Sequence, residues 1–324
     1  MKMLKMKLQT THKPHIAVVG GACVEMSFSV PSFPSQGETV YSRALLNGPG
    51  GRAIAVASDL AALGCRVFFL SSVGLDQTGS QLIADLQARR VNVDHVERVE
   101  NARTDVTHSL RDEQGGGARV ISGGVFSNMS RTPLFSARAL ISACELMIVA
   151  PDIPEDTFKF AVDMAHHYGV PVMALASPPD RLPAALIPQL DALIVNAAEA
   201  LALTHIKADS LDGANEALNF LLKRGAGSAA IYLGRQGAAA SSALRASLFF
   251  PPPMSKIPFP ADSEDAFAAG LAFALTSGAP LPEAVTFAVA NSFATAAAGS
   301  PAKDFPTQAA VSLSLKINYD EVST

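Results

Sequence analysis

The sequence predicts an α/β protein, with a mostly parallel sheet flanked by helices on both faces. Three observations carry this expectation. Short, wholly apolar runs recur along the chain, as strands buried on both faces require. Helical patterns lie between them, which leads a chain to parallel strand order. Hydrophobic residues make up 49% and charged residues 17% of the 324 residues, enough apolar surface for one large core.

The elements follow in order. His15 to Gly21 is an apolar run ending in glycine, a buried strand. Ala53 to Leu63 is a helical pattern closed by Gly64, and Arg66 to Val73 is the next strand. Thr78 to Arg89 reads as an amphipathic helix, Leu146 to Ala150 as a strand, and Glu155 to Tyr168 as a helix closed by Gly169. Val170 to Leu175, Ala192 to Val195 and Ala229 to Leu233 are further strands. Asp265 to Ser277 and Leu281 to Ala298 are Ala-rich helices that suit close helix-on-sheet packing.

Two segments break the alternation. Ser32 to Asn47 and Arg103 to Gly123 are more polar and turn-rich, and Asp112 to Gly117 reads as a hairpin turn. They are expected to form a small β-sheet outside the main one. No Pro/Gly/Ser linker divides the chain, so residues 1–14 are read as a tail and 15–324 as one domain with lid segments 32–47 and 103–123.

Composition excludes several classes. A net charge of −4 gives no footing for nucleic acid or an acidic membrane. No apolar stretch is long enough to span a bilayer. Cys23, Cys65 and Cys144 lack metal-ligand spacing and cannot all pair, which fits a reducing, cytoplasmic setting. The basic start, with Lys2, Lys5 and Lys7, lacks the continuous apolar segment of a signal peptide. His166 and His167 are adjacent on one helix and do not face each other, so they are read as surface residues.

The segment Pro260-Ala261-Asp262-Ser263-Glu264-Asp265-Ala266-Phe267 is the most informative. An apolar helix follows Asp265, which puts that carboxylate at a helix N-terminus among outward-pointing N–H groups. Such a carboxylate can accept a proton from a hydroxyl; it can equally be a helix cap.

In sequence order, six pieces of this chain resemble the ribokinase-like (phosphofructokinase-B-type) carbohydrate kinases. They are Gly20 to Glu25 with Gly37-Glu38-Thr39-Val40; Gly50-Gly51-Arg52; Val73-Gly74 with Asp76 and Gly79; Asn196 with Glu199; Leu233-Gly234 with Gly237; and Asp265-Ala266-Phe267 with Gly270. The resemblance implies a ribokinase-like parallel sheet with a small β lid, and transfer of the terminal phosphoryl of ATP to a hydroxyl of a sugar or sugar-like molecule.

Residue by residue, the resemblance makes Asp265 the catalytic base. It puts Asn196, Glu199, Gly234, Gly237, Ser263, Glu264 and Asn291 beside the nucleotide, and Glu25, Gly50, Gly51 and Arg52 beside the substrate. Glu199 and Asp262 become the residues toward Mg²⁺. Departures are equally specific. Asp262 and Glu264 stand where the family has the two glycines of its anion hole, Glu25 where it has Asp, and Ala55 where it has a sugar-binding Asn. The two carboxylates either hold Mg²⁺ or point to solvent in a loop that no longer takes ATP. The expectation is therefore an ATP- and Mg²⁺-dependent kinase of a sugar or nucleoside-like small molecule, pairing with a second copy through its lid. The alternative is a catalytically impaired relative that binds a small molecule or protein through the same cleft.

Overall fold

The computed structural model describes residues 13–113, 117–242, 263–298 and 305–312, and the backbone course of 245–250. The first third holds β1 (His15–Val19), β2 (Cys23–Ser29), β3 (Ala44–Gly50), α1 (Arg52–Leu63), β4 (Arg66–Gly74), α2 (Gln77–Ala88), β5 (Val96–Val99), β6 (Asp105–Arg111) and β7 (Gly117–Ile121). Two short helices, α3 (Thr132–Ser136) and α4 (Arg138–Ile141), lead to β8 (Leu146–Val149), α5 (Glu155–His167) and β9 (Val172–Leu175). Then come β10 (Ala192–Asn196), α6 (Ala197–Thr204), α7 (Leu211–Lys223), β11 (Ser228–Tyr232), β12 (Ala238–Ser242), β13 (Arg245–Phe250), α8 (Ser263–Thr276) and α9 (Leu281–Ala298).

The main sheet has the order β13-β12-β11-β10-β9-β8-β1-β4-β5. β1 is central, with Val18 paired to Phe69 on one side and Ile148 on the other, both in parallel. Only β12 and β13 run antiparallel to their neighbours. Because strand side chains alternate, Ile16 and Val18 enter one core with α1, α8 and α9, while Ala17 and Val19 enter the other with α5 and α7. That two-sided burial is why the strands read as unbroken apolar runs. Helices α8 and α9 approach closely because Gly270 has no side chain: a Cβ there would lie 2.9 Å from Ala288 Cα and from Asn291 Cβ.

The expected parallel sheet and its separate small companion are both present. β5, β12 and β13 have no counterpart in the sequence reading. Ala238–Ser242 is AAASS, a poor strand former by propensity, and it is recruited by pairing along β11. The small sheet has the order β3-β2-β6-β7. Its first two strands begin at Cys23 and Ala44, so most of 32–47 is irregular chain with one turn, and residues 23–29 belong to the small sheet. The tip of the hairpin read at 112–117 includes 114–116, which lie outside the described residues; the flanking pair Arg111↔Gly117 is antiparallel.

One motif of the resemblance proves to be a clamp between β4, α2 and the start of β6. Asp76 caps α2 by accepting from Gly79 N at 2.7 Å, and it also accepts from Thr104 Oγ1 at 2.7 Å and Thr104 N at 2.9 Å. Thr104 Oγ1 in turn accepts from Gly74 N at 3.0 Å. The residue that precedes β6 is thereby tied to the end of β4. Burial pushes the Asp76 carboxyl up, but the Thr104 and Gly79 donors outweigh it and hold the group below its usual range. Asp76→Ala removes three charge-assisted bonds, one of them the α2 cap, and is expected to cost about 2–4 kcal/mol in chemical denaturation. Because the folded carboxyl is the stronger acid, the wild-type advantage should shrink as pH falls through the carboxylate range.

Candidate active site

The parallel topology brings the carboxyl ends of β1, β8 and β10 to one edge of the sheet, where α/β folds gather their ligands. Three loops leave that edge: Gly20-Gly21 after β1, Asp152 just after β8, and Asn196 at the end of β10. The di-glycine turn Gly50-Gly51 comes in from the small sheet. Gly51 has φ 100°, a backbone that an L side chain rarely adopts, and it opens α1 without a side-chain cap. A Cβ on Gly50 would sit 2.6 Å from Glu25 Cβ, so Glu25 lies against this turn.

Arg52, the first residue of α1, is the centre of the site. Its Nε donates to Asp265 Oδ1 at 2.7 Å and its Nη1 to Glu199 Oε1 at 2.7 Å, and its Nη2 lies 3.4 Å from Glu264 Oε1. The guanidinium side chain is 13% exposed. Burial alone would weaken its hold on the proton, but Asp265, Glu264 and Glu199 outweigh that and raise it further above its ordinary value. Burial raises the Glu199 carboxyl, Arg52 opposes the rise, and Glu264 adds to it; the balance is a raised value.

Asn196 and Glu199 form a reciprocal capping box on α6: Glu199 N donates to Asn196 Oδ1 at 2.8 Å and Asn196 N to Glu199 Oε2 at 2.9 Å. Asn196 Nδ2 then donates to Glu264 Oε2 at 2.6 Å. A motif that reads as a plain helix start therefore also aims Glu264. Ser263 and Asp265 lie in the first turn of α8 and are buried. Asp262 lies outside the described residues.

Gly234 (φ 58°) and Gly237 (φ 93°) frame the turn from β11 into β12, with Leu233 N donating to Gly237 O at 2.8 Å. Asn291 departs from its expected place beside the nucleotide. It is fully buried between helices, with Nδ2 donating to Asp59 Oδ2 at 2.9 Å and to Ala266 O at 2.8 Å. It fastens α9 to α1 and α8 directly behind Asp265, and a side chain with no exposure lines no cleft.

On the small sheet, Ser109 Oγ donates to Glu25 Oε1 at 2.6 Å, and Arg119 lies 3.6 Å from the same oxygen. The register puts Glu25, Thr107, Ser109 and Arg119 on one face. His108 is on the opposite face, stacked on Phe28. Two residues were missed in the sequence. Arg119 had no signal beyond strand alternation. Asp152 had one, a carboxylate immediately past a buried strand: it accepts from Gly21 N at 3.0 Å, and burial raises its carboxyl to about 6. Cys23 beside it is no nucleophile, because burial raises its thiol to about 12.

Against known proteins, residues 13–308 match the model of the pfkB family of carbohydrate kinases. The chain belongs to the pfkB carbohydrate kinase family. The ribokinase of Schizosaccharomyces pombe is 29% identical over 303 residues, covering 90% of this chain and 95% of that one. A deoxyribokinase of Salmonella typhi is 24% identical and covers 69% of this chain and 73% of its own. The structure of Arabidopsis thaliana ribokinase complexed with ribose and ATP superposes with a TM-score of 0.85 at 22% identity, over 94% of this chain and 99% of that one. This family membership and the ribokinase-like fold agree with the sequence resemblance.

The buried Asp59 behind the site yields a prediction. Burial raises its carboxyl well above the ordinary range, and nearby Asp265 adds to the rise against the Asn291 hydrogen bond. The folded state keeps the proton that the unfolded chain releases above about pH 4. Stability is therefore lost as pH rises from that point toward the folded value. Asp59→Asn should melt like wild type near pH 4 and increasingly above it toward pH 8, as followed by thermal unfolding.

Proposed function

We propose that this protein transfers the terminal phosphoryl group of ATP to a hydroxyl of a small sugar, with Asp265 as general base. The observation that carries the reading is the convergence of Asp265 and Glu199, 213 and 147 positions away, on the guanidinium of Arg52, which directly follows the di-glycine turn. Family membership and the names of the relatives, ribokinase and deoxyribokinase, support a sugar as the acceptor.

Gly50 and Gly51 give the sugar close access to backbone, Glu25 and Asp152 accept its hydroxyl protons in hydrogen bonds, and Asp265 takes the proton of the attacking hydroxyl. Asn196, Glu199, Ser263, Gly234 and Gly237 edge the nucleotide side. Glu199 and Glu264 carry hard oxygens of the kind Mg²⁺ takes, but among the described residues no three Asp, Glu, His or Cys side chains are grouped to hold a metal ion, so the phosphates of ATP would supply most of its ligands. Bound there with ATP, Mg²⁺ would supply charge neutralisation between the phosphates and these carboxylates. A second copy would dock on the apolar outer face of the lid, where Leu45 and Val120 are 53% and 63% exposed.

A second reading has its own observation: Asp265 is ion-paired with Arg52, and a paired carboxylate is a weaker base. On that reading the cleft binds a small molecule without phosphoryl transfer. A coupled assay of ADP release over a panel of pentoses, hexoses and nucleosides separates the two. Activity with at least one sugar, requiring Mg²⁺ and falling roughly a hundred- to ten-thousand-fold in Asp265→Asn with ATP binding retained, is the expected outcome. ATP binding without turnover on any acceptor would favour the binder.

The Asp152 carboxyl gives a pH test. Its raised value, about 6, means the accepting carboxylate form fills in between pH 5 and 7. Sugar affinity measured by calorimetry should rise about tenfold over that interval. Asp152→Asn should flatten the profile.

A further inference from the structure

The turn that begins α8 carries Glu264, where a phosphate-binding turn needs positive potential. The structure holds a compensating group. Arg52 lies across this turn and is the cation shared by Glu199, Glu264 and Asp265. A guanidinium carries five N–H donors in one plane. Two are hydrogen-bonded, Nε to Asp265 and one N–H of Nη1 to Glu199, while Nη2 lies 3.4 Å from Glu264 Oε1 as an ion pair, so N–H donors remain on both terminal nitrogens. Donors on the two terminal nitrogens of a guanidinium have the fork geometry that matches two oxygens of a phosphoryl group.

The guanidinium is also held in place from several sides. Glu199 is fixed by the capping box, Glu264 is fixed by Asn196 Nδ2 at 2.6 Å, and Asp265 by the first turn of a buried helix. Arg52 itself stands at the N-terminus of α1, so the helix dipole adds to its positive potential at the same point. Fixed donors that need no reorganisation are what a transferring phosphoryl group requires. Arg52 is hydrogen-bonded to Asp265, so a hydroxyl deprotonated by Asp265 brings the reacting phosphorus to within reach of the guanidinium.

We propose that Arg52, aimed by Glu264 and Asn196, is the group that meets the transferred phosphoryl, doing at this turn what backbone N–H groups do in a glycine turn. The proposal rests on the kinase reading above. It assigns Arg52 to the terminal phosphoryl of the nucleotide instead of to the sugar, and gives Glu264 a positioning role. A turn carrying Glu264 is then not a broken anion site. Its negative charge holds a cation whose free edge faces the anion.

The test uses nucleotides that differ only at the terminal phosphoryl. Calorimetry with Mg²⁺ would compare a non-hydrolysable ATP analogue with ADP, for wild type, Arg52→Met, Arg52→Lys and Arg52→Met/Glu264→Gln. The double variant removes one of the carboxylates left uncompensated, which guards against loss of folding, and thermal unfolding checks each protein. Loss of a charge-assisted contact to the terminal group should weaken the analogue by about 10- to 100-fold and ADP by less than about 3-fold, in both Met variants, with part of the loss recovered in Arg52→Lys. Equal weakening of both nucleotides would make Arg52 a structural cation and overturn the proposal. Unchanged binding of both would overturn it as well, with the kinase reading intact. Wild-type protein that takes neither nucleotide would overturn the kinase reading and the proposal together.

Discussion

The Arg52 guanidinium among Glu199, Glu264 and Asp265 is the interaction on which the rest of the site depends. Three carboxylates within hydrogen-bonding reach of one point repel one another, and at partial burial that repulsion is several-fold stronger than in water. Without the cation, protonation or displacement of at least one carboxylate would follow. With it, α1, the start of α6 and the start of α8 are locked together at the carboxyl edge of the sheet. The arrangement resembles a buried ion-pair network more than an open cleft, and such networks serve specificity of geometry better than raw stability.

That network gives Glu264, which the sequence resemblance sets in place of a glycine, a partner for each of its oxygens. Glu264 does not project alone toward a phosphate. It is bonded to Asn196 on one oxygen and faces Arg52 with the other. The small sheet shows a similar economy, where Glu25 is engaged by Ser109 and Arg119 of neighbouring strands. The small sheet is itself tied to the main one through Thr104, which is fastened to Asp76.

Much of the fold was legible because burial leaves a direct record in sequence. Leu146–Val149 and Val172–Leu175 are apolar at every position since both of their faces are covered. Gly64 closes α1 with φ 104°, as a C-terminal glycine signal implies. The strand Ala238–Ser242 was not legible, because alanine and serine are poor strand formers and only pairing with its neighbours makes it extended. Asn291 was placed beside the nucleotide by its position in a helix. Its direction is set by Asp59 on another helix, which no local pattern encodes.

The sequence by itself determined the layered α/β class, the two-sided burial of the strands and the carboxylate at the start of α8, because each follows from periodicity or capping within a few residues. Its motifs also determined family. Tertiary structure alone decided what Arg52 does. In sequence it is a basic residue after two glycines; in the fold it is the counter-ion of Asp265, 213 positions away. Coulomb attraction acts through space, and only the parallel sheet, by bringing the ends of β1, β8 and β10 to one edge, makes those distant charges neighbours.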